Sequence, residues 1–515
     1  MLKLIILVTL LLTPGAGWAQ KPSAEDPTPK WSTTEITLTA GKDYRNPYTQ
    51  TGVTATFSGA GGSKTVRGFW DGGSTWKIRF TPTAEGTWTY TTSSSDPGLN
   101  QKTGTIKSTP PGENRGFLRR DPVNPYTFSW DNGTRYFMWG QTYYDVMRLA
   151  MVSNSWKAAV DNSAAYGMNK VRLHVFAQGN YGPSEGDMRQ PRAHPFLGTP
   201  AGLDHDQPNI PYWRKLDELV SYLASRGMVA DLILFNPYGP ASAFGTQAQD
   251  DRYTRYVLAR YAAYTHIIWC LSNEWEKPRP YWDAIGGIVR AEDPWIAQGP
   301  SFRPLSIHPH TAIDFQFFGS SWPVHAIIQW GVGAGESIGA RWGNGGIVSN
   351  LGHNMPLVND EYAYIGQRSR AELRGAIWGI AVAGGYGSSG DLRLFAGVAP
   401  EISGEWRDAP EYGDIQRMVR FFTTGSIEYW KMSSQNSLVT SGREVYVLAE
   451  PGRQYVIYAG RGGKFEINIA PGTYAARRYN PRTGAETTLA GVTGGGSQSF
   501  AMPDSDDWVV VLQNR

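Results

Sequence analysis

The sequence predicts an α/β fold: a central (β/α)8 barrel flanked by an N-terminal immunoglobulin-like β-sandwich and a C-terminal β-sandwich. Three observations predict it. Short alternating strands separated by Gly and Pro turns fill roughly the first hundred and the last eighty residues. Between them, apolar strand-like runs alternate with helical stretches, the texture of repeated βα units. The chain has 515 residues, 41% of them hydrophobic. That leaves space for a barrel of roughly 250 residues with a module at each end.

The elements run in order along the chain. Lys3, the apolar run from Leu4 to Leu12, the break at Pro14-Gly15 and the small residues of Gly17-Trp18-Ala19 form a signal peptide cut after Ala19. The run is too short for a membrane span, which needs about 20 apolar residues. A secreted or periplasmic protein without membrane insertion is expected. Residues 20–30 are a polar, Pro-containing linker. Residues 31–110 carry period-two strands such as Val53-Thr-Ala-Thr-Phe57 and Trp76-Lys-Ile-Arg-Phe80, and Pro110-Pro111-Gly112 closes this sandwich. Residues 111–434 hold the barrel. Its eight strands are expected at 136–140, 170–176, 228–235, 266–271, 304–307, 326–329, 356–359 and 384–386, with helices at 156–166, 213–226 and 370–383. Residues 435–515 return to strands, among them Tyr455-Val-Ile-Tyr458 and Trp508-Val-Val-Val-Leu512.

Composition narrows the function. Charged residues are 18% and the formal net charge is +3, which gives no footprint for nucleic acid or an anionic membrane. The 20 Trp and 27 Tyr suit both large β cores and the flat aromatic surfaces on which sugar rings pack. The single cysteine, Cys270, cannot form an intrachain disulfide, so stability must come from the core. That suits a bacterial periplasmic or extracellular protein.

In a barrel the side chains at the C-terminal strand ends face the active site. At those ends stand Gln141, Tyr143, Tyr144 and Asp145; Arg172 and His174; Asn236 and Tyr238; Ser272-Asn273-Glu274-Trp275-Glu276; His308 and His310; Gln329 and Trp330; and Asp360-Glu361-Tyr362-Ala363-Tyr364. This ring is polar, aromatic and rich in carboxylates, with no phosphate-cradling loop. Glu274, after strand four, and Glu361, after strand seven, stand on opposing sides of the mouth. Cleavage of a glycosidic bond needs such a facing pair, one to protonate the leaving oxygen and one to attack the anomeric carbon. Glu276 competes with Glu274, and Asp360 with Glu361. Tyr143, Asp145, Trp330 and Tyr362 are candidate sugar contacts, Asp145 equally a helix N-cap. Asp145, His174, His308 and His310 are metal-ligand types, but no HExxH-like spacing exists and no metal or cofactor is expected. No G-x-S-x-G elbow points to a serine hydrolase. A non-catalytic carbohydrate- or matrix-binding protein on a barrel scaffold is the alternative, and the presence of both glutamates argues against it.

These residues resemble a known pattern. Asn273-Glu274 after strand four and Glu361 after strand seven resemble the retaining glycosidases of the large (β/α)8 clan. The resemblance implies Glu274 as acid/base, Glu361 as nucleophile and Asn273 as partner of the sugar 2-hydroxyl. It also implies Arg172 as the cation that keeps the nucleophile ionised, with His174 and one of His308 or His310 lining the sugar subsite. Gly68-Phe-Trp-Asp-Gly72 and the segment from Phe80 to Tyr90 resemble the DUF5060 module. Phe137-Met-Trp-Gly-Gln-Thr142, His266-Ile-Ile-Trp-Cys-Leu271 and Pro356-Leu-Val-Asn-Asp-Glu-Tyr362 resemble the DUF4038, apiosidase-like glycoside hydrolases. Tyr455-Val-Ile-Tyr-Ala459 and Ala476-Arg-Arg-Tyr-Asn-Pro481 resemble the collagen-binding-type C-terminal module, expected here as a stabilising sandwich. Apiosidase-like members often end strand four in Gly-Gly-Asp. Ser272-Asn273-Glu274 stands there instead, which moves the site toward the general clan pattern and away from apiose.

Overall fold

A computed structural model describes residues 27–144, 146–176, 194–199, 202–237, 244–298, 301–310, 312–331, 339–391 and 408–514. The expected leader, the start of the linker, Asp145 and Tyr238 lie outside the described residues.

The central sheet is an almost closed parallel barrel. Its eight strands are Trp139–Thr142, Lys170–His174, Val229–Phe235, Ile267–Ser272, Leu305–Ser306, Ala326–Ile328, Leu357–Asn359 and Tyr386–Asp391. In space they run five, four, three, two, one, eight, seven, six. Strands five and six form the two ends of that path, and the Val324 N–H donates to the Leu305 carbonyl at 2.8 Å across the remaining seam. Strands two, three and four are buried at every position, because helices cover one face and barrel side chains the other. Helices Trp156–Ala165, Ile210–Ser225, Gln247–Tyr261, Arg279–Glu292, Ala340–Val348, Arg370–Val382 and Pro410–Thr423 come after strands one, two, three, four, six, seven and eight. Thr246 and Ser369 open two of them with full capping boxes, closed by Gln249 and Glu372.

Two strands differ most from the sequence reading. Strand one begins at Trp139 rather than at 136, because Tyr136 pairs antiparallel with Phe128. Segments Leu118–Arg120, Phe128–Trp130 and Arg135–Tyr136 form a three-stranded meander below the barrel. Strand eight starts at Tyr386 and runs through Gly387-Ser-Ser-Gly to Asp391, a stretch without the apolar run that marks a strand in sequence.

The flanking modules each pair a larger sheet with a three-stranded one. The N-terminal module has sheets of five and three strands, the C-terminal module sheets of six and three. The N-terminal module is held to the barrel by buried charge: Arg79 donates to Asp217 Oδ2 at 2.6 Å and to the Arg260 carbonyl at 2.6 Å, and Arg260 reaches back to Asp71 at 2.9 Å. The C-terminal module stacks Tyr458 on Trp378 of the helix after strand seven, and Asp507 accepts two 2.8 Å bonds from Arg374 of the same helix.

Candidate active site

Strand alternation builds the site. On strand two, Lys170, Arg172 and His174 share one face, the inner one, while Val171 and Leu173 join the apolar core outside. At the top of strand four the chain turns sharply: Glu274 adopts φ +42°, a left-handed conformation that a non-glycine residue adopts at a cost of about 1 kcal/mol. This turn aims its carboxylate across the mouth, where Gln329 of the strand-six end donates Nε2–H to Oε1 at 3.0 Å. Strand seven delivers Glu361 from the other side.

Glu361 is 2% exposed. Its Oε1 accepts hydrogen bonds from the Tyr144 hydroxyl and from the Tyr364 hydroxyl, the latter at 2.7 Å. Arg172 Nη1 lies 3.8 Å from the same oxygen, and His308 Nε2 lies 3.9 Å from the other. Burial pushes its carboxyl up to about 7; Arg172 opposes that rise, the charge of Glu274 adds to it, and the two tyrosines oppose it. The influence of Glu274 places the two carboxylates in one electrostatic field.

The Tyr144 hydroxyl is the hub. It donates toward Glu361, lies 3.1 Å from Asn273 Oδ1 and accepts from Arg172 Nη1. Arg172 Nη2 donates to Asn273 Oδ1 at 2.6 Å. With its oxygen engaged in this way, Asn273 has its NH2 group to offer a hydroxyl. The Tyr144 ring stacks on His174 at 4.4 Å between centroids. Burial, then Arg172, drives the His174 pKa down, and burial, Arg172, Lys170 and the other two histidines do the same to His308. Both imidazoles are therefore neutral, and their ring nitrogens have no hydrogen-bond partner among the described residues. They suit neutral hydroxyl groups. Among the described residues no three His, Cys, Asp or Glu are grouped to hold a metal.

The structure thus brings together Glu274, Glu361, Asn273, Arg172, His174 and His308. Others fall elsewhere. Tyr143 points out of the barrel: its hydroxyl bonds Ser163 at 2.6 Å on the first barrel helix, and its neighbour Tyr144 faces the site, as period two requires. Tyr362 is buried against Trp139 beside Gly387, one residue out of phase with Glu361. Trp330 is half-buried and packs on Trp342 at 5.6 Å. His310 is exposed, as is Glu276. Asp360 does not compete with Glu361, because it is fully buried and accepts from Lys170 at 2.6 Å and Ser388 at 2.7 Å inside the barrel. Tyr144, Tyr364, Gln329 and Lys170 complete the site. The first three stood in the ring read from sequence; Lys170 gave no signal beyond a lone cation in an apolar run.

Three families match along the chain. Residues 27–95 match a domain of unknown function, DUF5060. Residues 124–418 match the apiosidase-like catalytic domain. Residues 435–513 match a candidate collagen-binding domain of a collagenase. A protein of Bacteroides vulgatus, described as a candidate glycoside hydrolase, superposes with a TM-score of 0.77 at 20% identity, over 95% of this chain and 100% of its own. A family 5 glycoside hydrolase from the same organism gives 0.61 at 15% identity, over 78% and 94%. At such identities the likeness establishes the fold. No curated protein sequence matches the chain.

Proposed function

This chain belongs to the apiosidase-like catalytic family and is a glycoside hydrolase, and on that premise we propose that it cleaves a glycan with retention, using Glu361 as nucleophile and Glu274 as acid/base. The observation that carries this reading is the donor set around Glu361. Two phenols and a guanidinium face it, and all of them favour its anion.

In the first step a Glu361 oxygen bonds to the anomeric carbon while the glycosidic bond breaks and Glu274 gives its proton to the departing oxygen. In the second, Glu274 takes a proton from water, whose oxygen displaces Glu361 from the sugar. Asn273 would hold the 2-hydroxyl, with His174 and His308 as neutral partners for other hydroxyls. The raised pKa of Glu361, about 7, favours a second reading in which Glu361 is the acid. The nucleophile reading stands first, because the Tyr144 and Tyr364 hydroxyls and the Arg172 guanidinium all act against that rise and favour the ionised form that attacks carbon.

The leader pattern supports export, and N-terminal sequencing of the exported protein is expected to begin at Gln20. The function is tested by digesting a plant, algal and microbial glycan library with wild type, Glu274→Gln and Glu361→Gln, read by mass spectrometry, with the product anomer followed by NMR. Cleavage by wild type alone, with the substrate's anomeric configuration in the first product, is expected. Inverted product would sink the double displacement, and an active Glu361→Gln the nucleophile. Azide added to Glu274→Ala assigns the roles: it should restore turnover and yield a glycosyl azide of retained configuration.

A further inference from the structure

We propose that Lys170, on the floor of the barrel, is a positioning residue for the carboxylate pair: by occupying Asp360 it leaves Arg172 to face Glu361, and so sets how firmly Glu361 holds a proton. The inference rests on the reading of Glu361 as nucleophile.

Lys170 is wholly buried, with Nζ 2.6 Å from Asp360 Oδ1 and 3.2 Å from Asp231 Oδ2. Its stem crosses strand one at Gly140, where a Cβ would lie 2.9 Å from Lys170 Cε and 2.9 Å from Ser388 Oγ. Strand one thus leaves open the path by which Lys170 reaches strand seven. Ser388 adds a bond to the same oxygen of Asp360. Arg172, two residues along strand two, stands between neighbouring carboxylates: its Nε lies 3.9 Å from Asp360 Oδ2, and its Nη1 lies 3.8 Å from Glu361 Oε1. Neither Arg172 Nε nor Asp360 Oδ2 has a hydrogen-bond partner among the described residues. Arg172 spends its hydrogen bonds on Tyr144 and Asn273, the groups that frame Glu361.

Two cations therefore serve three carboxylates in a closed interior, where the three cannot all ionise freely. Lys170 decides which one goes short. Asp360 lies below the usual carboxylate range, since Lys170 and Arg172 together overcome its burial, whereas burial lifts Asp231. The other groups facing Glu361 are Tyr144, Tyr364, Glu274 and His308, and His308 and His325 also feel Lys170. Both histidines are held neutral, mainly by burial. None of these groups supplies the cation that would replace Lys170.

The test needs no sugar. The full chain is labelled with 13C at glutamate side-chain carboxyls, and the Glu361 resonance is assigned by its loss in Glu361→Gln and followed through a pH titration. Lys170→Met is expected to raise the Glu361 midpoint by about one pH unit, and Asp231→Asn, which removes the other claimant on Lys170, to lower it by about one. The double variant should return close to wild type. A purely structural ion pair would leave the three midpoints equal, and that result overturns the proposal, as does movement of both single variants in one direction. Should Lys170→Met fail to fold, Asp231→Asn and the double variant decide. A catalytically active Glu361→Gln would remove the nucleophile reading while the titration shifts stood. An inactive Glu361→Gln with unmoved midpoints would remove the role of Lys170 alone.

Discussion

Glu361 is the residue at which function and stability oppose each other. Its carboxyl is raised from 4.5 to about 7, first by burial. The folded state therefore binds a proton that the unfolded state has already lost between those two values, so stability falls as pH rises through that window. Removing the charge should reverse the loss. Glu361→Gln is expected to be about 3 kcal/mol more stable than wild type at pH 8, with the gain gone near pH 4; urea unfolding at both pH values checks it. A gain that persisted at low pH would point to packing rather than ionisation. Tyr144→Phe removes the hydroxyl shared by Glu361, Asn273 and Arg172. Losing one preorganised donor costs about 10²-fold in kcat, and the acidic limb of the pH profile should move up because a bond that favours the anion is gone. Unchanged kinetics on the glycan found by digestion would make Tyr144 mere packing. The carboxylates and Arg172 were legible in the sequence because strand ends can be located from apolar runs. Tyr143 and Tyr144 both stand in the ring read from sequence; which of them faces inward turns on the exact end of strand one, and the structure turns Tyr144 inward and Tyr143 onto Ser163. Tyr364 rather than Tyr362 reaches Glu361 because the chain turns at residues 360–362 after strand seven, a turn that strand alternation does not register.

At the scale of elements, strand seven matters most, since it carries Glu361 and is flanked by helices Ala340–Val348 and Arg370–Val382. Those helices approach closely because glycines line their contact: a Cβ at Gly343 would sit 2.6 Å from the Ala376 carbonyl oxygen, and one at Gly375 3.0 Å from the Ala340 nitrogen. Gly343→Ala must push backbone away from backbone, and overpacking of this kind costs about 1–3 kcal/mol. A lower urea midpoint with an unchanged denaturant slope is expected, together with reduced turnover as strand seven shifts. An unchanged midpoint would mean that the pair relaxes freely. The helices were readable from their periodicity and the strands with apolar runs from their texture. Strand eight runs past the expected 384–386 to Asp391, because Tyr386-Gly-Ser-Ser-Gly-Asp391 carries small residues, without an apolar run, where bulky side chains would collide. Gly387, for example, lies against Tyr362 and Trp139.

Across the whole molecule, the barrel and the N-terminal module share one apolar core and a charge network centred on two buried arginines. Arg79, wholly buried, bridges Glu35 and Asp217, while Arg260 bridges Asp217 and Asp71. These partners are 138 and 181 positions apart for Arg79 with Asp217 and with the Arg260 carbonyl, so nothing in the local pattern announced them, although the order of the modules was plain from the change in hydrophobic period. Two arginines are matched by three carboxylates here, with Lys77 joining at the rim. Breaking such a network from one side strands the remaining charges, which typically costs 3–5 kcal/mol. Arg79→Met is expected to lower stability by about that amount. Because the core is continuous, calorimetry should still show the barrel and this module melting in a single transition at lower temperature. If the N-terminal module melted first and alone, leaving the barrel transition where it was, the network would be a local clasp. The stability of the site would then owe nothing to the module that precedes it. A single, lowered transition would instead make the N-terminal sandwich part of what holds the barrel, and with it Glu361, in place.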